Sequence, residues 1–262
     1  MSTPLSPRSV LLFDIDGVIR DVGGSYRRAI VETVHHYSGV RPEPAAIDGL
    51  KAEGRWNNDW EASLELLRRG GLEPLPPLAA LVEVFNGFYF GGDPEGDPAQ
   101  WRGFIGSEPL LVDQHLFEQL SAAGVRWGFV SGAEPPSARF VLEQRLGLAA
   151  PPLIAMGDAP DKPDPTGLLR LAEQLLQAPL GAAAAPVAYL GDTVADVLTV
   201  ARAREQRPQQ RFISLAVPPP HLQAAAASAQ REHYGQQLQA AGADRLLDRT
   251  DQVLTVLEQL LA

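Results

Sequence analysis

Val10 to Phe13 form an unbroken run of four apolar residues, the pattern of a strand buried on both faces. Asp14 and Asp16 arrive where that strand must end, with Ile15 between them facing back toward the interior. The period then changes to helical as far as about Gly92. Tyr26, Ala29, Ile30, Thr33 and Val34 recur three and four apart; Trp60, Leu64, Leu66 and Leu67 do the same ahead of Gly70-Gly71. Leu81, Val82, Phe85 and Phe88 mark a third helix over 78–90, ended by Gly91-Gly92. Residues 91–109, rich in Gly, Pro and Asp, read as a return linker. Beyond them strands and helices alternate: helix 114–123, strand 125–130, helix 136–146, short strand 153–156, helix 168–177, strand 187–190, a helix from 194 through Ala203 and strand 212–217. This succession predicts an α/β fold with a doubly wound, Rossmann-like parallel sheet. The core domain is 1–21 with 93–262, and 22–92 is a helical insertion.

Length and composition fit that plan. At 262 residues, with 45% hydrophobic and 21% charged, the chain suits one soluble core plus an insertion. A formal net charge of −10 argues against nucleic acid as the main partner, yet leaves room for a small phosphorylated metabolite wherever a metal and a lysine offset charge locally. The absence of cysteine excludes disulfides, thiolate nucleophiles and thiolate metal ligands. Residues 1–9 are polar and proline-containing, and the apolar run after them is too short for a signal peptide or a membrane span. A cytoplasmic enzyme with no membrane partner is the expectation.

In an open parallel sheet, ligands bind beyond the carboxyl ends of the strands. Asp14 and Asp16 follow the first strand, Ser131 the second, Lys162 lies in the loop after the third, and Asp192 follows the fourth. A carboxylate attacks a phosphoryl group when a divalent cation relieves the repulsion between them. Asp14 and Asp192 can supply hard oxygen ligands for Mg²⁺, and Asp16 can protonate a leaving alkoxide and then activate water. Ser131 and the N–H of Gly132 can hold phosphate oxygens, with Lys162 balancing charge on the phosphate and on Asp14. Each residue also has a plainer reading. Ser131-Gly132 fits a strand-end turn, Lys162 a solvated loop lysine, and Asp192 to Asp196 a helix start where acids suit the macrodipole. Asp192 and Asp196, four apart, share one helix face, which suggests a cation or a lysine between them.

Asp14-Ile15-Asp16-Gly17-Val18, Ser131-Gly132, Lys162-Pro163 and Gly191-Asp192-Thr193-Val194-Ala195-Asp196 occur in the order and spacing of the haloacid dehalogenase (HAD) superfamily, and the chain resembles its subfamily I. Gly242-Ala243-Asp244 and the final helix are also similar to that family. The resemblance implies that Asp14 is the phosphoryl-accepting nucleophile. It makes Asp16 the acid/base, binding metal through its backbone carbonyl, and Ser131 and Lys162 the phosphate-holding pair. Asp192 would be the direct Mg²⁺ ligand, with Asp196 a second acid that orients metal-bound water or the lysine. Members with dehalogenase activity lack the second aspartate of the first motif, so Asp16 favours phosphate chemistry.

The insertion is similar to the C1-type cap of subfamily I, and residues 51–59 fall where that family carries its substrate-specificity loop. Lys51 and Arg55 are candidates to meet a second anionic group of the substrate, and Trp56 to pack on a ring; Trp56 and Trp60, four apart, equally fit a core. Two features depart from the family. Arg20-Asp21 stands where many relatives have smaller or apolar residues, and 218–241 is longer than the family usually needs, as an extra helix or a partner surface.

Three functions follow. A Mg²⁺-dependent phosphomonoester hydrolase working through an aspartyl-phosphate leads. A phosphomutase uses the same aspartates, and a non-enzymatic phospho-accepting signalling domain groups similar residues but needs no cap.

Overall fold

The computed structural model describes residues 7–53, 55, 56 and 58–261; residues 1–6 of the polar start and Gly54 and Asn57 of the 51–59 stretch lie outside the described residues. The chain divides into two compact units, Val22–Pro109 and the remainder on either side of it.

The remainder is built on six strands: β1 (Ser9–Phe13), β2 (Val125–Val130), β3 (Leu153–Ile154), β4 (Val187–Gly191), β5 (Phe212–Ala216) and β6 (Arg245–Leu246). All neighbours pair in parallel in the order β3-β2-β1-β4-β5-β6. From β1 the chain winds outward to β2 and β3; β4 returns to the other side of β1, and β5 and β6 extend that side. The reversal of direction therefore falls between β1 and β4, the position where a doubly wound sheet opens a crevice. Phe13 lies opposite Phe129 on one side and Leu190 on the other, so β1, β2 and β4 end nearly level. Asp14 and Asp192 leave at the same edge of the sheet.

The helical unit contains α1 (Tyr26–Ser38), α2 (Pro44–Ala52), α3 (Asp59–Arg69) and α4 (Leu78–Tyr89). Asn58 caps α3 through its side chain, which accepts the N–H groups of Trp60 and Glu61. The unit has an aromatic core: Tyr26 stacks on Tyr89 at 4.1 Å, and Trp60 meets Phe85 edge-on at 6.5 Å. α2, which the periodicity did not single out, is short, and Ile47 and Leu50, three apart, are buried on it.

Residues 93–109 belong with this unit, so its second boundary follows Pro109, not Gly92. Gly103 donates its N–H to the carbonyl of Phe90 (2.8 Å), Trp101 packs on Phe90 at 4.7 Å, and Phe104 stacks with Phe88 at 6.2 Å. The Ser25 and Tyr89 hydroxyls both reach the buried Glu108 carboxylate, at 2.5 and 3.2 Å. Turn residues gave the stretch its linker signature, but its two aromatic side chains pin it down.

On the sheet, α5 (Gln114–Ala122), α6 (Pro135–Arg139, continued by a wider helical turn to Arg145) and α10 (Val253–Leu261) cover one face; α7 (Thr166–Leu176) and α8 (Val194–Gln206) cover the other. The run in β1 divides between two cores as strand geometry requires. Leu11 and Phe13 join Phe117, Leu142 and Leu257, while Val10 and Leu12 join Leu168, Ala172 and Val200. Segment 218–241 resolves into short helical turns and α9 (Ser228–Ala240), whose Leu238 packs on Val197 and Ala216.

Phe117 is buried and touches Phe13 and Phe129, each at 5.6 Å, and Trp127 at 4.8 Å. Truncation to alanine is expected to lower the unfolding free energy by about 3–5 kcal/mol. Denaturant titration of Phe117→Ala measures it; a loss under about 1 kcal/mol would show that the cluster does not carry this face.

Candidate active site

The first functional loop is set by β1. Asp14 donates its N–H to the carbonyl of Leu190 (2.9 Å), extending the ladder one residue, and Ile15 is fully buried beneath the loop. Gly17 adopts φ +76°, and a Cβ there would lie 2.0 Å from Oδ2 of Asp192. A glycine is thus required both for the turn and for the approach of the two acidic loops.

Lys162 is the centre of the site. Its ammonium lies 2.9 Å from Oδ2 of Asp14, 2.6 Å from Oδ1 of Asp196 and 3.3 Å from the Tyr189 hydroxyl. Asp196 is at the third helical position of α8 and closes a capping box: its Oδ2 accepts the Thr193 N–H (2.9 Å) and the Thr193 hydroxyl (2.6 Å), and Thr193 Oγ1 accepts the Asp196 N–H. The capping reading of this helix start and the lysine-holding reading are both realised, by one side chain. The Tyr189 hydroxyl lies 2.9 Å from the carbonyl of Val130 and 3.0 Å from Asp196 Oδ1.

Three buried carboxylates, from Asp14, Asp192 and Asp196, each present an oxygen within 4.8 Å of the others. One lysine cannot balance them. Burial pushes the Asp14 carboxyl up to about 6 despite Lys162, and Asp196 and Asp16 add to the rise. Burial, with Asp196 and Asp14 beside it, holds Asp192 well above the carboxylate range. Asp196 goes the other way: burial opposes its charge, but Lys162 and the Thr193 hydrogen bonds outweigh it. Burial also works against the Lys162 charge, yet Asp14 and Asp196 keep its pKa well above the ordinary lysine value.

Oδ1 of Asp14 is buried and accepts no hydrogen bond from the described residues. A buried carboxylate oxygen without a hydrogen bond from the described residues, amid excess negative charge and with the Asp192 and Asp196 carboxylates close by, fits a hard divalent cation. Asp16 stands apart from the three: its side chain is 29% exposed, and its Oδ1 takes the Arg20 Nε–H at 2.6 Å.

Ser131, Gly132 and Lys162 line one cleft with Ile154, Met156 and Pro160. Ser131 is buried, held by its N–H on the Ile154 carbonyl (2.9 Å), and its Oγ accepts the Ala133 N–H. The Lys51 and Arg55 side chains are engaged within their own unit. Lys51 is ion-paired with Asp59; Arg55 lies 3.3 Å from Glu53 and its guanidinium 4.9 Å over the Trp56 ring. The sequence reading missed two members. A tyrosine inside the otherwise aliphatic run Val187 to Leu190 signals a hydroxyl in need of a partner, and Arg20 at the end of an apolar turn signals a guanidinium in need of one.

The family model described as haloacid dehalogenase-like hydrolase matches residues 9–204, and the chain belongs to that family, whose members generally use a divalent metal. A protein of Phytophthora nicotianae named imidazoleglycerol-phosphate dehydratase is 32% identical over 197 residues, 74% of this chain and 41% of that protein, so the chain spans well under half of that relative's length. Among solved structures, a hydrolase from Pseudomonas syringae superposes with a TM-score of 0.65 at 18% identity, covering 97% of this chain and 99% of that one. Phosphatase Tt82 from Thermococcus thioreducens gives 0.59 at 21% identity, over 88% and 99%. A beta-phosphoglucomutase from Clostridium difficile gives 0.60 at 15%, over 96% of each. These likenesses concern the fold. Among the described residues no helix is long and apolar enough to cross a membrane.

Two stability predictions follow from the charges. Asp196→Ala removes the capping box and one of the two carboxylates on buried Lys162, and is expected to cost about 3 kcal/mol by denaturant titration. An unchanged midpoint would refute the structural role. Asp14 differs in sign. The folded chain holds its proton more tightly than the unfolded one, so the stability that proton contributes is complete below the ordinary value of 3.8 and is lost as pH rises through about 6. In EDTA, Asp14→Asn should therefore gain stability relative to the wild type as pH rises from 4 to 7; a difference that stays flat with pH would contradict the burial argument.

Proposed function

We propose that the chain is a Mg²⁺-dependent phosphomonoester hydrolase acting on a small phosphorylated metabolite, with Asp14 as its nucleophile. The observation that carries this reading is the Asp14 carboxylate: one oxygen is tied to Lys162, and the other is buried, without a hydrogen bond from the described residues, beside Asp192 at the switch point of the sheet.

Asp14 and Asp192, with the Asp16 backbone carbonyl, would hold the ion. When bound, Mg²⁺ supplies the positive charge that lets a carboxylate approach a phosphate. Asp196 serves the lysine instead, since both its oxygens are engaged by Lys162, Tyr189 and Thr193.

In the first half-reaction an Asp14 oxygen bonds to phosphorus as the ester P–O bond breaks. Asp16 gives its proton to the departing alkoxide. In the second, Asp16 takes a proton from water as that water attacks the aspartyl-phosphate, releasing phosphate and restoring Asp14. The Ser131 hydroxyl and the Gly132 N–H donate to the non-bridging oxygens, and Lys162 offsets charge on Asp14 and the phosphoryl group. We assign the helical unit as the C1-type cap, with Lys51 and Arg55 as its candidates for contacting the remainder of the substrate.

The test is phosphate release from sugar phosphates, glycolate phosphate, nucleotides, imidazoleglycerol phosphate and an aryl phosphate, each with Mg²⁺ and with EDTA. The imidazole compound is included for the name that the relative carries. Release is expected only with the metal, and Asp14→Asn should lower it by about 10³-fold or more. A folded, Mg²⁺-binding protein that releases phosphate from none of them would sink this reading.

A further inference from the structure

Arg20 is fully buried, the largest side chain among the described residues to be so. A buried guanidinium is retained only where its hydrogen bonds are met, so its partners show what it is for. Its Nε–H donates to Oδ1 of Asp16 (2.6 Å), and Nη2 donates to the Ser137 hydroxyl (2.9 Å), itself buried on α6, the helix that follows the Ser131-Gly132 turn. The backbone fixes its other end. The Arg20 N–H donates to the Ile15 carbonyl (3.2 Å), its carbonyl accepts the Gly17 N–H (2.9 Å), and it bridges to Leu110. The guanidinium is thus anchored at both ends, with Asp16 between.

We propose that Arg20 is a positioning residue for the acid/base, an inference that rests on the phosphatase reading above. Asp16 is part-exposed and would otherwise turn about its side-chain bonds. A guanidinium only donates, so the oxygen facing it, Oδ1, cannot carry a proton toward it, and the proton of the acid form is confined to Oδ2. Arg20 thereby selects the oxygen that meets the leaving group. In the step it serves, the Asp14–phosphorus bond forms, the ester P–O bond breaks, and the Oδ2 proton passes to the leaving oxygen. Through Ser137 the same side chain ties the Asp16 carboxylate to the helix that follows the Ser131-Gly132 turn.

The discriminating measurement is leaving-group dependence. An alkoxide needs the proton and a 4-nitrophenolate does not, so kcat/KM, which reports the first half-reaction, is compared for glycerol phosphate and 4-nitrophenyl phosphate in wild type, Arg20→Lys, Arg20→Met, Ser137→Ala and Asp16→Asn. Asp16→Asn sets the scale, with a loss on the alkyl ester of about 10²-fold or more and a much smaller one on the aryl ester. Arg20→Met is expected to reproduce that selective loss, and Arg20→Lys and Ser137→Ala to show it in weaker form with thermal midpoints close to wild type. Arg20→Met added to Asp16→Asn should bring no further selectivity. Equal losses on both esters in every folded variant, or none, would overturn the positioning role while leaving wild-type hydrolysis intact; should Arg20→Met not fold, the other two variants decide. A wild type that hydrolyses neither ester overturns the underlying reading instead.

Discussion

Lys162 sits inside the protein between two carboxylates, with a third close by, and most of the architecture can be understood as making that arrangement tolerable. Its ammonium cannot be left dry and alone, nor can three acids be buried around one cation without a surplus of negative charge. The surplus is visible in the opposite directions taken by chemically identical groups. Lys162 and the Thr193 hydrogen bonds hold the pKa of Asp196 below the ordinary carboxylate value, while burial raises those of Asp14 and Asp192 above it. A site that resists its own ionisation is a site prepared for a cation, because the ion supplies what the fold withholds.

The sheet explains why those groups can be brought together at all. β1 and β4 are neighbours only because the chain reverses direction between them, and their level ends deliver Asp14 and Asp192 to one point. β2 ends alongside and delivers Ser131. Lys162 arrives from a loop and needs a rigid holder, which Asp196 provides by being fixed itself in the first turn of α8. Lysine holding and helix capping fall to one side chain here, so Asp196 cannot be lost without loosening the helix.

Much of this was legible in the chain. Four consecutive apolar residues ending in two acids fit a central strand, and the acids at later strand ends then fall on one edge by topology. The wholly local signals were weaker where short elements rely on tertiary contacts: α2 has nine residues and β6 two, too little for a period to show. Residues 93–109 misled for a different reason. Their glycines, prolines and aspartates describe the path of the backbone, while Trp101 and Phe104 decide where it packs. Tyr189 was hidden, and Arg20 stood out only as a departure from the family, because a pattern reports that a residue is polar or apolar, not that a polar end has found a partner inside.

The helical unit has its own electrostatics, and they bear on which of its cations suits a substrate anion. Lys51 is committed to Asp59. Glu53 has both oxygens taken by the guanidinium of Arg69, at 2.7 and 2.9 Å, and one also accepts the Trp56 indole N–H. Arg55 approaches the same carboxylate only at 3.3 Å, with a side chain 68% exposed. An exposed ion pair of that length contributes little, so exchanging it for another anion costs little. Lys51 would have to abandon a closer partner. Of the two candidates in this stretch, Arg55 is therefore the one whose present contacts least oppose a role in binding.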